Sequence, residues 1–429
     1  MKMIDQVLGA IGWACVTEPG DVVAGEIVWE LGAEAAWQWL TVDTLMPVGA
    51  TESDERVRVL FAGREALLDR RLARWRSRLP DVNVEAQARS AHALGAWVLT
   101  PNDPNWPLLL NDLEFARPHC LWVRGDSALP VSARAGVSII GSREMSNYGE
   151  HVTSQLVAGL ATYGTPVVSG GAFGVDASAH RAALAYELPT LAVLAGGVDR
   201  LYPSGNASLQ RAILAAGGAI VSEMPPGALP MRSRFLQRNR LIAALTPVTL
   251  VVEAAWRSGS LSTAHHALEL SRQVGAVPGP VTSTLSSGCH RLLRETPATL
   301  ITSSHDIVEL VGTELQPDLG RGGVKSAKNS AGPVTTAAAD PVAAAASPTA
   351  AHVTPTNPTY PGIKMPPTRG RTPAHTAVLD GLSLRKARSV DEIARACGLL
   401  AQEVLPILGE LEISGAIVHD GMGWKRLHG

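Results

Sequence analysis

The sequence has few cysteines and no cysteine spacing typical of a structural site. Its four cysteines, Cys15, Cys120, Cys289 and Cys397, are scattered along 429 residues without a CxxC pair. This distribution argues against a disulfide framework and a zinc knuckle, and it favours a reducing compartment. Charged residues are also scarce, at 18%, and the net charge is −2. These values exclude a protein that coats nucleic acid by bulk attraction, so any polyanion site must be local.

Long apolar runs are absent as well. The most apolar stretch in the later part of the chain, residues 241–256, is interrupted by Pro247 and Glu253. It is shorter than the ~20 residues that span a bilayer. Residues 1–16 contain Lys2 and Asp5 and lack a small-residue cleavage site after a long apolar stretch, so they make a poor signal peptide. We therefore expect a cytoplasmic protein with no membrane partner.

Composition changes along the chain predict four segments. Residues 1–128 hold eight of the ten tryptophans and several helix-period patterns, which predict an N-terminal helical, SAM-like domain and a lead-in. Residues 129–313 alternate β-branched runs with Ala- and Leu-rich segments and predict a Rossmann-like domain. Residues 314–371 form an Ala-, Pro- and Thr-rich linker that we expect to be disordered. Residues 372–429 predict a winged-helix domain.

The predicted fold class is α/β, with a Rossmann-like parallel sheet core, an N-terminal helical domain and a C-terminal winged-helix domain. Seven short β-branched runs in the central region predict the strands of the sheet. They are Val137–Ile140, Pro166–Ser169, Thr190–Leu194, Ala219–Ser222, Val248–Val252, Gly275–Val277 and Thr299–Ile301. In such a sheet, ligands bind beyond the carboxyl ends of the strands, so the loops there are the candidate site.

The C-terminal segment predicts three helices and a hairpin. The helices are near Ala374–Gly381, Ser389–Cys397 and Ala401–Ser414, and the hairpin runs from Ala416 to Leu427. A capping box of Ser389 and Glu392 starts the second helix. The third helix carries three glutamates and no Lys or Arg, so we expect it not to read a DNA groove. A protein-contact or regulatory role is expected, with an inert appended module as the alternative.

Glycine-rich turns follow several predicted strands. Gly141-Ser142-Arg143 follows the first strand, and a run from Ser169 to Asp176 with three glycines follows the second. Free amides at a helix start, together with a fixed guanidinium, favour a phosphate. A third glycine turn at 196–197 and Ser258-Gly259-Ser260 at a later helix start strengthen this interpretation. The alternative is that the glycines only make tight turns.

Basic charge is concentrated in one segment. Residues 231–240 contain four arginines beside Phe235, whereas residues 131–312 as a whole hold 13 arginines, no lysine and 11 acidic residues. Guanidinium groups bind phosphates, and an adjacent aromatic ring offers a stacking surface, so the segment predicts a single-strand groove. The alternative for Arg238 and Arg240 is an ion pair with Glu223, Glu253 or Asp199 that braces the sheet.

Catalytic and metal-binding signatures are not visible in the sequence. Asp176 and His180 have i, i+4 spacing, but no third ligand with metal spacing appears, so a helix cap and a packed imidazole are expected. No nucleophile elbow, triad, Walker A motif or paired-carboxylate cluster occurs. We therefore predict no catalytic residues, no metal and no cofactor.

An ordered set of motifs resembles the DNA-processing protein A family, also called DprA or Smf, over about residues 100–312. The motifs are Gly141-Ser-Arg143, Ser169-Gly-Gly-Ala-Phe-Gly-Val-Asp176 with Ala179-His180, Gly197-Val-Asp-Arg-Leu-Tyr-Pro203, Ser222-Glu223, Phe235-Leu-Gln-Arg-Asn-Arg240, Ser258-Gly-Ser-Leu261 after Glu253, and Val277-Pro-Gly279. Trp106-Pro-Leu-Leu-Leu and the strand Leu121-Trp-Val-Arg-Gly125 resemble the family's lead-in. An ordered set is far more specific than one glycine-rich turn.

The resemblance implies a mediator that is not an enzyme. Such proteins bind single-stranded DNA, form homodimers and help load RecA recombinase during natural transformation, with single-strand-binding protein as a further expected partner. By position, the family's DNA-binding arginine falls on Arg143. The predicted DNA-binding residues are Gly141, Ser142, Arg143, Ser169, Gly170, Gly171, Phe173, Gly174, Arg200, Arg234, Phe235, Arg238, Asn239, Arg240, Ser258, Gly259 and Ser260.

Two positions depart from the family pattern. Ser204 stands where many relatives have a basic residue, so a phosphate contact is either missing or supplied by Arg200 or Arg234. Leu236 replaces the usual proline. The alternative function is a nucleotide-processing enzyme of the phosphoribohydrolase, lysine-decarboxylase-like type. Its Pro-Gly-Gly-x-Gly-Thr loop is absent, because Pro278-Gly279-Pro280 lacks the continuation.

Overall fold

A computed structural model describes residues 2–42 and 51–315 and parts of the C-terminal region. Those parts are residues 378, 382, 388–397, 404, 407, 408, 411, 417–419 and 423–426. The chain divides into two compact units, Met1–Lys328 and Asn329–Gly429. The predicted disordered linker lies, from residue 316 onward, outside the described residues, and the predicted domain boundaries stay predictions.

The N-terminal part of the first unit consists mainly of helices. Its core contains Trp13, Phe61 and Trp75, all fully buried, and the rings of Trp13 and Trp75 meet edge to face with centroids 5.2 Å apart. A capping box of Thr51 and Asp54 starts the fourth helix. Buried rings on one face of each helix hold such a bundle together. The helices are α1 (Lys2–Val16), α2 (Val22–Leu31), α3 (Ala33–Val42), α4 (Glu52–Leu60), α5 (Glu65–Arg76) and α6 (Val84–Ala93).

Two antiparallel strands follow the helices, of which the second is the strand expected in the lead-in and the first was not predicted. Strand β1 (Ala96–Leu99) pairs with β2 (Leu121–Gly125), and β2 pairs antiparallel with a strand of the central sheet. The side chains of Leu121, Trp122 and Val123 are fully buried. Because these residues cover one end of the parallel sheet, the complete sheet is mixed.

The remaining strands of the nine-stranded sheet, counted within the described residues, confirm the predicted α/β fold. They are β3 (Val137–Ile140), β4 (Val167–Gly170), β5 (Thr190–Val193), β6 (Ala219–Ser222), β7 (Val248–Val251), β8 (Gln273–Ala276) and β9 (Thr299–Leu300). The spatial order is β1-β2-β6-β5-β4-β3-β7-β8-β9, and β3 to β9 are parallel. Each predicted strand lies within two residues of an observed one.

The strand order reverses at β3. From β3 the chain proceeds to β4 on one side, and β7 later adds on the other side, with Ile140 opposite Val251. The loops after β3 and β7 therefore diverge at a topological switch point, where open α/β sheets bind ligands. The helices that cover the sheet are α7 (Leu129–Ser132), α8 (Asn147–Leu160), α9 (Val175–Ala185), α10 (Ala207–Ala215), α11 (Arg232–Leu245), α12 (Gly259–Glu269), α13 (Ser287–Glu295) and α14 (Ser304–Leu315).

Helices lie on both faces of the sheet because both faces are apolar. On one face, α8, α9 and α14 bury residues such as Leu156, Ala179 and Ile307 against β3 and β7. On the other face, α11 and α12 bury residues such as Leu241 and Ala264. None of the helices formed by the described residues is long and apolar enough to cross a membrane.

The second unit contains part of the predicted winged-helix domain. Helix α15 (Val390–Cys397) begins with the predicted capping box, in which the Ser389 N–H donates to the Glu392 carboxylate over 2.8 Å. Strands β10 (Ile417–His419) and β11 (Trp424–Arg426) form the predicted hairpin. The helices predicted near 374–381 and 401–414 lie largely outside the described residues.

Candidate nucleic-acid interface

A groove of about 780 Å³ opens at the carboxyl ends of β3 and β7. Three segments line it: the loop 141–144 after β3, the part of α11 from Arg232 to Ile242, and residues 257–263 at the start of α12. Asp176, Tyr202 and other side chains complete the wall. The groove therefore lies at the switch point where the sheet topology alone would place a ligand site.

The loop after β3 is held in place by Glu253. The Ser142 N–H donates to the Glu253 carbonyl oxygen over 2.7 Å, and the Glu253 carboxylate accepts from the Ser146 N–H over 2.9 Å and from the Ser146 hydroxyl. At Gly141 a Cβ would come within 2.6 Å of Val175 Cγ2, so the tight approach of the loop requires glycine. This scaffold fixes the loop that carries Arg143.

Arg143 projects from this loop into the groove. Its side chain is exposed, and its guanidinium carbon lies 5.5 Å from the centroid of the Phe235 ring. Phe235 in turn meets Tyr202, with ring centroids 5.9 Å apart. A cation above an aromatic ring, with a second ring beside it, is the arrangement that binds a phosphate and a base together.

Arg238 lines the groove from below and is almost completely buried. It is 6% exposed, and its Nη1 donates to the Val193 carbonyl oxygen over 2.8 Å. Burial lowers the pKa of this guanidinium from its ordinary value, although the Asp176 carboxylate opposes the shift. Burial likewise raises the pKa of Asp176 above its usual range, against the charge of Arg238. Arg238 therefore supports the groove floor more than it presents a mobile charge.

In the glycine turn after β4, where the sequence predicts an anion cradle, the Asp176 carboxylate of the chain itself occupies one of the amides. The Ala172 N–H donates to the Asp176 carboxylate over 3.3 Å, and the Val175 N–H donates to the Ser142 carbonyl oxygen over 3.1 Å. A Cβ at Gly170 would overlap both Arg238 Nη1 and the Asp176 carboxylate. Glycine is therefore required at position 170 because the buried side chains of Arg238 and Asp176 lie so close to its backbone.

The other predicted residues of this turn also lie outside the groove. The Ser169 hydroxyl is buried and donates to the Ile139 carbonyl oxygen over 2.6 Å. Gly174 has φ +73° and no room for a Cβ. Phe173 is 49% exposed, but its ring lies against Gly205. Gly171 and Arg200 line a small neighbouring depression, and Arg200 is exposed and 3.8 Å from the Asp199 carboxylate.

Two of the predicted arginines are held in ion pairs away from the groove. Arg240 is 4% exposed, and its two terminal nitrogens contact the Glu223 carboxylate over 2.6 and 2.8 Å. Arg234 Nε lies 2.9 Å from the Glu18 carboxylate, in the turn between α1 and α2. Arg240 also donates to the Ala116 carbonyl oxygen over 2.9 Å. We call these two ion pairs, Arg240 with Glu223 and Arg234 with Glu18, the arginine brace. Neither arginine lines the groove, so the structure does not favour the predicted DNA contacts of Arg234 and Arg240.

Two further arginines line the groove: Arg232, which belongs to the predicted basic segment but not to the predicted DNA-binding residues, and Arg257, which the sequence did not single out. Arg232, at the start of α11, and Arg257, after β7, are both exposed. Neither they nor Arg143 has a carboxylate within ion-pair distance among the described residues. Four arginines therefore line the groove against two carboxyl groups, Glu144 and Asp176. Arg257 could have been found from the sequence by its position just beyond the carboxyl end of a predicted strand, β7.

The start of α12 closes the groove with small polar groups. The Ser258 hydroxyl accepts from the Ser260 N–H over 3.4 Å and lies 2.7 Å from the Ser260 hydroxyl. Gly259 is exposed, and nothing lies within 4 Å of a Cβ built there. Asn239 bridges to α12, because its Nδ2 donates to the Gly259 carbonyl oxygen over 3.4 Å. This helix start offers partial positive charge to an anion.

His180 is a packed imidazole. Its Nδ1 lies 2.7 Å from the Thr190 hydroxyl and its Nε2 lies 3.0 Å from the Gly170 carbonyl oxygen. Burial lowers the pKa of His180 to about 4. Both ring nitrogens are therefore used in holding α9 against the sheet.

Comparisons with known proteins agree on one family. The family model described as DNA recombination-mediator protein A matches residues 97–312, and the model of the DprA winged helix domain matches residues 363–421. The chain is 38% identical over 397 residues to a putative DNA processing protein DprA of Mycobacterium tuberculosis, covering 89% of this chain and 88% of that protein.

One solved structure gives the same result, and a second is reported beside it. The X-ray structure of DprA from Streptococcus pneumoniae is 27% identical, with a TM-score of 0.55, and the match covers 71% of this chain and 97% of that one. A structure described in terms of the single-stranded DNA binding mode of DNA processing protein A from Helicobacter pylori is 29% identical, with a TM-score of 0.46. That match covers 52% of this chain and 98% of the Helicobacter protein.

Proposed function

The chain belongs to the DNA recombination-mediator protein A family, and from this premise we propose that it binds single-stranded DNA in the groove. Family membership supports a role in DNA processing and recombination mediation. We further propose that the protein acts in the cytoplasm as a homodimer and helps RecA to load onto DNA. Single-strand-binding protein is the further partner that it meets on the DNA.

The observation that carries the proposal is the set of unpaired guanidinium groups around one aromatic ring. Arg143, Arg232 and Arg257 line the groove without an ion pair in the described residues, and Phe235 lies among them. Two other arginines of α11, Arg234 and Arg240, form ion pairs with carboxylates instead. An unpaired cation keeps its full attraction for a phosphate, and binding then releases counterions from the strand.

The chemistry of the groove favours an unpaired strand over a duplex. Bases in a single strand can leave the stack and pack on rings such as Phe235 and Tyr202, whereas bases in a duplex are already stacked. The polar groups at the start of α12 can bind backbone phosphates, which are the same for every base sequence. Binding is therefore insensitive to base sequence and falls with salt, by roughly 0.7 log unit per neutralised phosphate per log unit of salt.

The test of this function has two parts. Fluorescence anisotropy with labelled single-stranded and duplex oligonucleotides of one sequence measures the preference, and we expect the single strand to bind more tightly at every salt concentration. RecA strand exchange on DNA precoated with single-strand-binding protein measures mediation, and we expect stimulation. Equal affinity for both DNA forms would refute the groove assignment, and absent stimulation would refute the loading role.

The alternative raised by the sequence, a nucleotide-processing enzyme, is favoured by no specific feature of the groove in the part of the chain that the structure describes. Release of a free base from a nucleoside monophosphate would be the result that restores it.

A further inference from the structure

Trp256 is an exposed indole next in sequence to a residue that lines the groove. It is 51% exposed and precedes Arg257, whose side chain lines the groove. Successive Cα atoms are about 3.8 Å apart, so a strand that contacts Arg257 passes within reach of the indole. Trp256 belongs neither to the groove lining nor to the motifs that the sequence singled out.

The indole is held at this place by the packing of its loop on α13. The Ala254 N–H donates to the Leu285 carbonyl oxygen, and the Gly288 N–H donates to the Ala254 carbonyl oxygen, each over 2.7 Å. A Cβ at Gly288 would lie 2.7 Å from the carbonyl oxygens of Ala254 and Ala255, so glycine permits this contact. The loop and the first turn of α13 therefore form one rigid support.

One residue of α13 adds a guanidinium to the indole. The Arg291 guanidinium carbon lies 5.2 Å from the Trp256 ring centroid, one turn beyond Gly288. The Nε of Arg291 is 2.9 Å from the Glu295 carboxylate, which orients the guanidinium. The guanidinium therefore holds one side of the ring in place, and an ordered, exposed aromatic ring binds a base by stacking.

We propose that Trp256, supported by Arg291, is a second base-stacking platform that extends the groove beyond Arg257. The proposal rests on the single-stranded DNA function proposed above. The occupant is a nucleobase of the same strand that passes Arg143 and Phe235. The strand then has two aromatic platforms, Phe235 inside the groove and Trp256 at its end, with Arg257 between them.

The matched control is Trp97, another exposed tryptophan of the same unit. It is 58% exposed on strand β1. In the sheet order, β1 lies six strand positions from β7, which is about 29 Å at the usual spacing between strands. Trp97→Ala therefore removes an exposed indole, as Trp256→Ala does, at a position away from the proposed path of the DNA strand.

The test compares two labelled oligonucleotides of about 20 nucleotides, oligothymidylate and an abasic strand with the same phosphates, by fluorescence anisotropy. We expect Trp256→Ala to weaken oligothymidylate binding at least about fivefold and abasic-strand binding less than about twofold, because stacking requires a base. Trp256→Phe should retain most of the affinity, and Trp97→Ala should change either affinity less than about twofold.

Three outcomes decide the proposal. A Trp256→Ala affinity within about twofold of the parent would overturn it while leaving the proposed function intact. An equal loss on both strands would also overturn it, because the indole would then act through structure or charge. If the parent chain bound neither strand, the proposed function would fail and the platform with it.

Discussion

The groove and the arginine brace place neighbouring arginines of one helix in opposite situations. Arg232 and Arg238 line the groove, whereas Arg234 and Arg240 are paired with Glu18 and Glu223. The difference comes from carboxylates that other segments bring to the helix, and Glu18 is 216 positions from Arg234. A cluster of arginines is therefore not itself a polyanion site, because each guanidinium must first lack an internal partner.

The two regions should separate in experiments. The groove exposes charges whose removal changes DNA binding and leaves stability nearly unaffected. The brace buries charges whose removal changes stability and leaves the salt dependence of DNA binding unaffected.

The largest expected effect is on stability, from Arg240→Ala. This change leaves the Glu223 carboxylate, whose side chain is 11% exposed, without its partner. Breaking a buried ion pair costs about 3–5 kcal/mol of unfolding free energy, which urea denaturation measures. The control, Arg211→Ala, removes an exposed arginine and should cost no more than about 0.5 kcal/mol.

A loss of less than about 1 kcal/mol for Arg240→Ala would contradict the structural role of this ion pair. The double change Arg240→Met with Glu223→Met is the second test, because replacing both partners with apolar side chains removes the unpaired charge. We expect the double variant to recover much of the loss.

Phe235→Ala should have the largest effect on DNA affinity. It removes a stacking surface worth about 1–3 kcal/mol per base while leaving the groove arginines in place. Fluorescence anisotropy should show weaker binding with an unchanged salt slope. Phe235→Tyr keeps the ring and is expected to bind nearly as well as the parent, and an Ala variant that also bound nearly as well would argue against stacking.

Arg143→Ala should weaken DNA binding by about fivefold at ~0.1 M salt, because one phosphate contact contributes roughly 0.7 to the salt slope. The matched variant is Arg234→Ala, which removes an arginine from the brace. Arg143→Ala should lower the salt slope without loss of stability, and Arg234→Ala should lower stability without change of slope. If the two variants exchanged these effects, the division into groove and brace would be wrong.

The smallest effect is a pH dependence of the brace. Burial acts to raise the pKa of Glu18, but hydrogen bonds and charge from Arg234 and Arg78 hold it below its ordinary value of 4.5. A lowered pKa stabilises the fold above pH 4.5, and that contribution is lost as the pH falls through the folded-state pKa. Urea denaturation should show that the advantage of the parent over Glu18→Gln shrinks below pH 4.5. A constant difference would contradict the pairing.

Most of the sheet could be predicted from the sequence because β-branched runs and glycine turns mark parallel strands locally. The strand Ala96–Leu99 was missed, since it is short and exposes Trp97. The family resemblance and the fold class are confirmed. The domain boundaries and the function of each site residue stay predictions.

The site was only partly predictable, because tertiary contacts decide which groups are free. Gly141, Ser142, Arg143, Phe235 and Arg238 meet in the groove together with Asn239 and residues 258–260, as expected for loops at one sheet edge. The turn after β4 differs from the expectation, because the Ala172 N–H donates to the buried Asp176 carboxylate and the Val175 N–H donates to the Ser142 carbonyl oxygen, contacts that no local pattern reveals. The sequence offers the pairing of Arg240 with Glu223 as an alternative to DNA contact, and the structure shows this ion pair.

The most direct test of the account is the salt dependence of single-stranded DNA binding for the triple variant Arg143→Ala, Arg232→Ala, Arg257→Ala. If three unpaired guanidinium groups bind the strand, the slope of log affinity against log salt falls by about 2 relative to the parent, and the unfolding free energy stays within about 1 kcal/mol. An unchanged slope with unchanged affinity would contradict the central claim.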